Sequence, residues 1–226
     1  MSGSWNVAIL IAAVTGSGSA SVAVSGIRDL RGYVITCRRL GVKEIHIITD
    51  GIGNFIWQSF HPVWLDCHIH DSISALPLLM AKAKGRVLVT LSGHGYDHNY
   101  GRHHGQAYTI FNHVPVSSHS LTAAVALLRA SASCLIVCDT CHSESLFNMD
   151  DVVHPNMTCI AACRDGQSTL QGVSEEFGYG GGLTVCILDR LCQRQPDAED
   201  LFRYAHQHLT SIDQHPCISH ARVMSA

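Results

Sequence analysis

Two apolar runs constrain this chain most, Arg86-Val87-Leu88-Val89-Thr90-Leu91 and Cys134-Leu135-Ile136-Val137-Cys138. Neither alternates polar with apolar residues, so each needs cover on both faces, as strands of a parallel sheet do. Asn6–Ala13, Lys43–Thr49 and Met157–Ala161 read as further strands, and stretches of helical spacing separate them. Strands alternating with helices predict an α/β fold, a mainly parallel central sheet with helices on both faces. At 226 residues, with no internal repeat and no linker, the chain reads as one domain over 1–226.

The helical segments follow from spacing. Ile27, Leu30, Val34 and Ile35 predict a helix over 27–40 that stops at Gly41. Ile73, Leu76, Leu79 and Met80 predict one over 71–84, bent at Pro77. Ser120–Ala130 has one apolar face, with Ser120 as its cap. Leu183–Gln193 and Asp197–Leu209 complete the set, and Cys217–Arg222 forms a last strand. Thr15–Ser25 and Gly166–Gly182 read as Gly-rich loops, and Tyr96–Val116 as irregular.

Composition excludes several classes of function. Hydrophobic residues make up 46% and charged ones 15%, which argues against disorder. Net charge is −3 and no basic run appears, so nucleic acid is not an expected partner. The apolar Val7–Val14 imitates a signal-peptide core, but no Lys or Arg precedes it and it is too short to span a bilayer. It reads as a core strand, and no membrane partner is expected. Several of the ten cysteines, Cys134, Cys138, Cys159 and Cys186 among them, fall inside apolar runs, where free cysteine packs as a small hydrophobe. That usage suits a reduced, cytoplasmic compartment.

Each founding strand ends in a motif that carries chemistry. Arg86–Leu91 runs into Ser92-Gly93-His94-Gly95, and Cys134–Cys138 into Asp139-Thr140-Cys141-His142-Ser143. Catalytic groups collect at the carboxyl ends of parallel strands, where loops aim them into one cleft. Cys141 is a plausible nucleophile, reacting as its thiolate, and His94 the base that activates it and later protonates the leaving amine. The tetrahedral intermediate needs two fixed backbone N–H donors, for which Gly95 and Cys141 are the candidates. Other readings exist for the same residues. Cys138-x-x-Cys141 has the spacing of a redox pair or half a zinc site, but no second pair follows at a usual distance. Cys67, His68 and His70 cluster, yet their partner ligands must come from elsewhere in the chain.

At these residues the sequence resembles a metacaspase, a caspase-like cysteine peptidase. The family pattern is Ser-Gly-His-Gly for the histidine loop and Asp-Ser/Thr-Cys-His-Ser-Gly for the cysteine loop; here Glu144 replaces the last glycine. The likeness extends to Leu30-Arg31-Gly32 followed by a helix and Ile47–Asp50, to Ala161–Gln167, to Gly181–Thr184 and to Gln214–Ser219. It covers nearly the whole chain, with no separate pro-domain expected. The resemblance implies a caspase-like three-layer sandwich, His94 and Cys141 as the catalytic dyad, peptide or protein substrates, a monomer, and a place in programmed cell death. It also implies cleavage after Arg or Lys, with Ser92 and Asp139 in the S1 pocket.

Two departures from the family bear on function. After Leu30-Arg31-Gly32 the family places Cys-Val-Asn-Asp, whose Asp enters the pocket; this chain has Tyr33-Val34-Ile35-Thr36, so one carboxylate is missing, with Glu144 as a substitute suggested by position. Many metacaspases use Ca²⁺ held by several carboxylates, whereas the only acid between Gly95 and Ser120 is Asp97, with Asp150 and Asp151 beyond the cysteine. No cofactor is therefore expected to be required, and calcium dependence is expected to be weak or absent. The stretch His98 to His113 reads as a solvated loop, able to take a softer ion such as Zn²⁺. The competing functional reading is a catalytically weak caspase-like protein that acts by binding partners.

Overall fold

A computed structural model describes residues 4–15, 20–50, 64, 66–96, 107–169, 171–174, 178–193 and 196–223. In chain order the elements begin with β1 (Val7–Ala13), α1 (Ala20–Arg39), β2 (Glu44–Thr49), β3 (His68–His70), α2 (Ala75–Lys82) and β4 (Arg86–Gly93). There follow β5 (Gly95–Tyr96), β6 (Tyr108–Phe111), β7 (Val114–Ser117), α3 (Ser118–Val125), β8 (Ser133–Asp139) and β9 (Met157–Ala161). The chain then runs through β10 (Gln171–Ser174), β11 (Gly178–Gly181), α4 (Gly182–Gln193), α5 (Ala198–Leu209) and β12 (Cys217–His220).

Seven strands form the central sheet in the order β12-β9-β8-β4-β1-β2-β3. Every pairing is parallel except β12 against β9. Alternate residues feed opposite faces, which is why the strands are apolar throughout. Ile9, Ile11, Val89, Leu91 and Ile136 join Leu76 and Met80 of α2 and Leu121 and Val125 of α3 in one core. Ala8, Leu10, Leu88, Leu135 and Val137 join residues of α1, α4 and α5, such as Leu30, Ile187 and Leu201, in the other. The result is a three-layer α/β sandwich. Each fully buried Leu or Ile contributes about 1.5–3 kcal/mol of transfer free energy, so the central strands anchor both layers.

Four local expectations are corrected. The helix over 27–40 begins earlier, at Ala20, so Leu30-Arg31-Gly32 lies inside α1 rather than ahead of a helix. Packing on β1, β2 and β4 overrides the weak propensity of the Gly/Ser-rich stretch. The cap of α3 is Ser117, whose Oγ accepts from Ser120 N–H at 3.3 Å; Ser120 itself lies in the first turn. Tyr96–Val116 is not irregular: β5, β6 and β7 form a small antiparallel sheet. Its tight turn, Asn112-His113, has φ of 51° and 62°, a turn that sequences usually mark with glycine. The loop expected over 166–182 contains the β10–β11 hairpin, and its glycines hid the strand pattern. Asp97, His98, His103 and His104 lie outside the described residues. His113 is exposed. Among the described residues no helix is long and apolar enough to cross a membrane.

Candidate active site

β4 and β8 are adjacent and parallel, with Ser92 paired to Asp139, so the two motif loops leave the sheet side by side. They touch at Gly95, where a Cβ would stand 1.8 Å from the carbonyl oxygen of Cys141. Just before the histidine, Gly93 has φ of +148° and passes so close to β1 that a Cβ would meet the Ala13 carbonyl oxygen at 2.4 Å. Both glycines are there because backbone approaches backbone. The histidine loop is pinned from β6, where Thr109 Oγ1 donates to the His94 carbonyl at 2.7 Å. The His94 ring lies 5.7 Å from that of Tyr96, which stacks on Tyr108.

The structure brings His94 and Cys141 together. Burial pushes the Cys141 thiol up, but hydrogen bonds from His94, from Thr169 and from Ser168 outweigh it and bring the value down to about 7. Thr169 contributes its N–H at 3.3 Å and its hydroxyl at 3.7 Å. Near neutral pH a large share of Cys141 is therefore thiolate, the nucleophilic form. Cys138 is fully buried, with its thiol pushed up by burial, and contacts Thr140 Oγ1 rather than Cys141. All ten cysteines are free.

The cysteine loop is held from behind by residues 163–167. His142, at φ of 53°, donates its N–H to the Gln167 carbonyl and accepts from Gly166 N–H at Nδ1. Buried Ser143 exchanges hydrogen bonds with the backbone of Cys163. Glu144 accepts from Asp165 N–H at 3.1 Å, so its carboxylate is spent on this loop.

The carboxylate beside Asp139 is Asp29, not Glu144 or anything at Thr36. Thr36 lies two turns further along α1, where its hydroxyl is 3.7 Å from Cys192 Sγ. Asp29 is fully buried; its carboxyl is held well above the usual range by burial and then by the Asp139 charge. Hydrogen bonds from Gly181 N–H, at 3.0 Å, and from Ser92 oppose that rise. Asp139 is raised by burial to about 6 and accepts from Thr184 N–H at 2.7 Å. That N–H belongs to the first turn of α4, whose free amides and positive dipole end favour an anion. The other oxygen, Asp139 Oδ1, makes no hydrogen bond of good geometry, and the buried Thr184 hydroxyl interacts with Asp139 and with the Tyr33 hydroxyl only loosely. Tyr33 is close enough to feel the charges of both aspartates. A buried acidic pair with an unmatched acceptor suits a cation, and a guanidinium best. Sequence reasoning missed Asp29: the helix over 27–40 already contained it, but no local signal shows which turn of that helix lies beside Asp139.

A separate cavity of about 470 Å³ lies at the opposite end of the sheet, near Trp5, Arg86, Asp197 and His220. It includes neither His94 nor Cys141.

No protein-family model matches the chain, and no curated protein does. Among solved structures the chain is similar to protein GSU0716 from Geobacter sulfurreducens, with a TM-score of 0.66 and 12% identity over 98% of this chain and 95% of that one. At that identity the likeness is one of fold, and it supports the three-layer α/β architecture.

Proposed function

We propose that this chain is a cysteine endopeptidase of metacaspase type that cleaves after Arg or Lys. The observation that carries the reading is the hydrogen bond from His94 to Cys141, which helps bring the thiol to about 7 at the ends of two adjacent parallel strands. The Cys141 thiolate attacks the scissile carbonyl carbon, forming an S–C bond and an oxyanion that Gly95 and Cys141 N–H groups stabilise. Protonated His94 gives its proton to the departing amine as the C–N bond breaks. It then takes one from water, which releases the acid and restores the thiol. Asp139 and Asp29, with Ser92, receive the basic P1 side chain.

The same reading carries a monomer in a reducing, cytoplasmic setting, peptide or protein substrates, no nucleic acid and no required cofactor. It is tested with fluorogenic peptides bearing P1 Arg, Lys or Asp, on the wild type and Cys141→Ala, in EGTA and then in calcium. Cleavage after Arg or Lys that vanishes in the variant supports it. Silence from folded wild-type protein on every peptide overturns it. One contact favours the second reading, a catalytically weak binding protein: Thr169 N–H lies on the nucleophilic sulfur, where a substrate carbonyl must approach.

A further inference from the structure

We infer that the edge of the central sheet carries a binding site for a divalent transition ion, built from His46, His70 and His68 and independent of the peptidase reading. Parallel pairing sets His46 of β2 beside His68 of β3, and the two-residue strand period returns His70 and Glu44 to the same face. His46 Nδ1 lies 3.2 Å from His70 Nε2. Two metal–nitrogen bonds of about 2.0–2.1 Å at a tetrahedral angle separate their nitrogens by about 3.3 Å. The contact is a hydrogen bond from His70 Nε2–H to the His46 Nδ1 lone pair. Exchanging that one proton for a divalent ion leaves both nitrogens in place.

Glu44 completes the logic. Its Oε1 accepts from His46 Nε2–H at 2.7 Å, which fixes the tautomer and directs the Nδ1 lone pair toward His70. A carboxylate on the far nitrogen is the usual outer partner of a metal-bound histidine. The His68 ring stacks on His46 at 5.0 Å between centroids and is exposed, so rotation of its side chain supplies the third nitrogen. Among the described residues no three such side chains already converge on one metal position, so His68 must make that rotation. Cys67, next in sequence to His68, packs against the core of the opposite face and is not a ligand. His46 is buried while His68 and His70 reach solvent, which leaves an entry path. Imidazole donors favour Zn²⁺, Cu²⁺ or Ni²⁺ over calcium or magnesium.

The test is titration of EDTA-treated full-length chain with Zn²⁺ against a chromophoric chelator, in a Cys141→Ala background that removes the reactive thiolate. We expect one equivalent of tightly held ion, weakened about a hundredfold by His70→Asn and about 10–100-fold by Glu44→Gln. His46→Gln, with its fold checked by circular dichroism, repeats the loss from the other side of the pair. The site is disproved by absence of saturable binding, or by an equivalent that His70→Asn and Glu44→Gln leave unchanged.

Discussion

Asp29 and Asp139 form one buried acidic pair, although the first lies in a helix and the second ends a strand. One backbone segment, from Gly181 to Thr184, donates an N–H to each of them. Two carboxyls in one dry site cannot both ionise at low cost.

Both carboxyls are raised, so the folded protein binds protons that the unfolded chain releases. For Asp139 that contribution to stability is complete below the unfolded value of about 4 and is lost as pH climbs through about 6. Asp29→Asn keeps the hydrogen-bonding shape and removes the mutual repulsion. Thermal melts should show it at least as stable as wild type at pH 7.5, with a flatter dependence between pH 4 and 7. The same substitution should reduce kcat/KM for P1 Arg about 10–100-fold, since a charge-assisted hydrogen bond contributes about 1.5–3 kcal/mol.

Alkylation of Cys141 by iodoacetamide should rise with pH and reach its half-maximal rate near pH 7, where the thiolate forms. His94→Ala removes a hydrogen bond that holds this value down, so the midpoint should move toward about 8.5. Peptidase activity in the variant should fall about 10²–10⁴-fold. A midpoint that stays near 7 would place the activation with Thr169 and Ser168 instead.

Gly95→Ala should separate the dyad. The added methyl cannot share space with the Cys141 carbonyl at 1.8 Å, and that neighbour is backbone. Overpacking of this kind costs about 1–3 kcal/mol, within reach of a stable domain. A folded variant with a raised alkylation midpoint and no cleavage is the expected result.

Asp50 ties loops together at the carboxyl end of the sheet. Its carboxylate accepts from Val14 N–H at 2.7 Å, from Asn112 N–H at 2.9 Å, and from the Thr15 N–H and hydroxyl. Asp50→Ala leaves these donors without their acceptor and should cost about 1–3 kcal/mol. Hydrogen exchange should quicken at Val14, Thr15 and Asn112 before it does in β4 or β8.

Some of this architecture is legible in the residues alone. Apolar runs such as Val87–Leu91 and Leu135–Val137 demand cover on both faces, and the helical stretches between them supply it, so the layered α/β class follows from patterning. The positions of His94 and Cys141 at strand ends follow too, because a break in an apolar run is a local signal. Short polar or glycine-bearing strands carry no such signal. β3, three residues of His-Ile-His, and the β10–β11 hairpin exist because neighbouring strands offer them free hydrogen-bonding groups. Asp29 beside Asp139 and His70 beside His46 are likewise invisible in one dimension. Which helix turn lies under which strand end, and which edge strand lies in which register, are set by long-range packing and pairing. Those pairings decided where the buried charges and the histidine nitrogens meet.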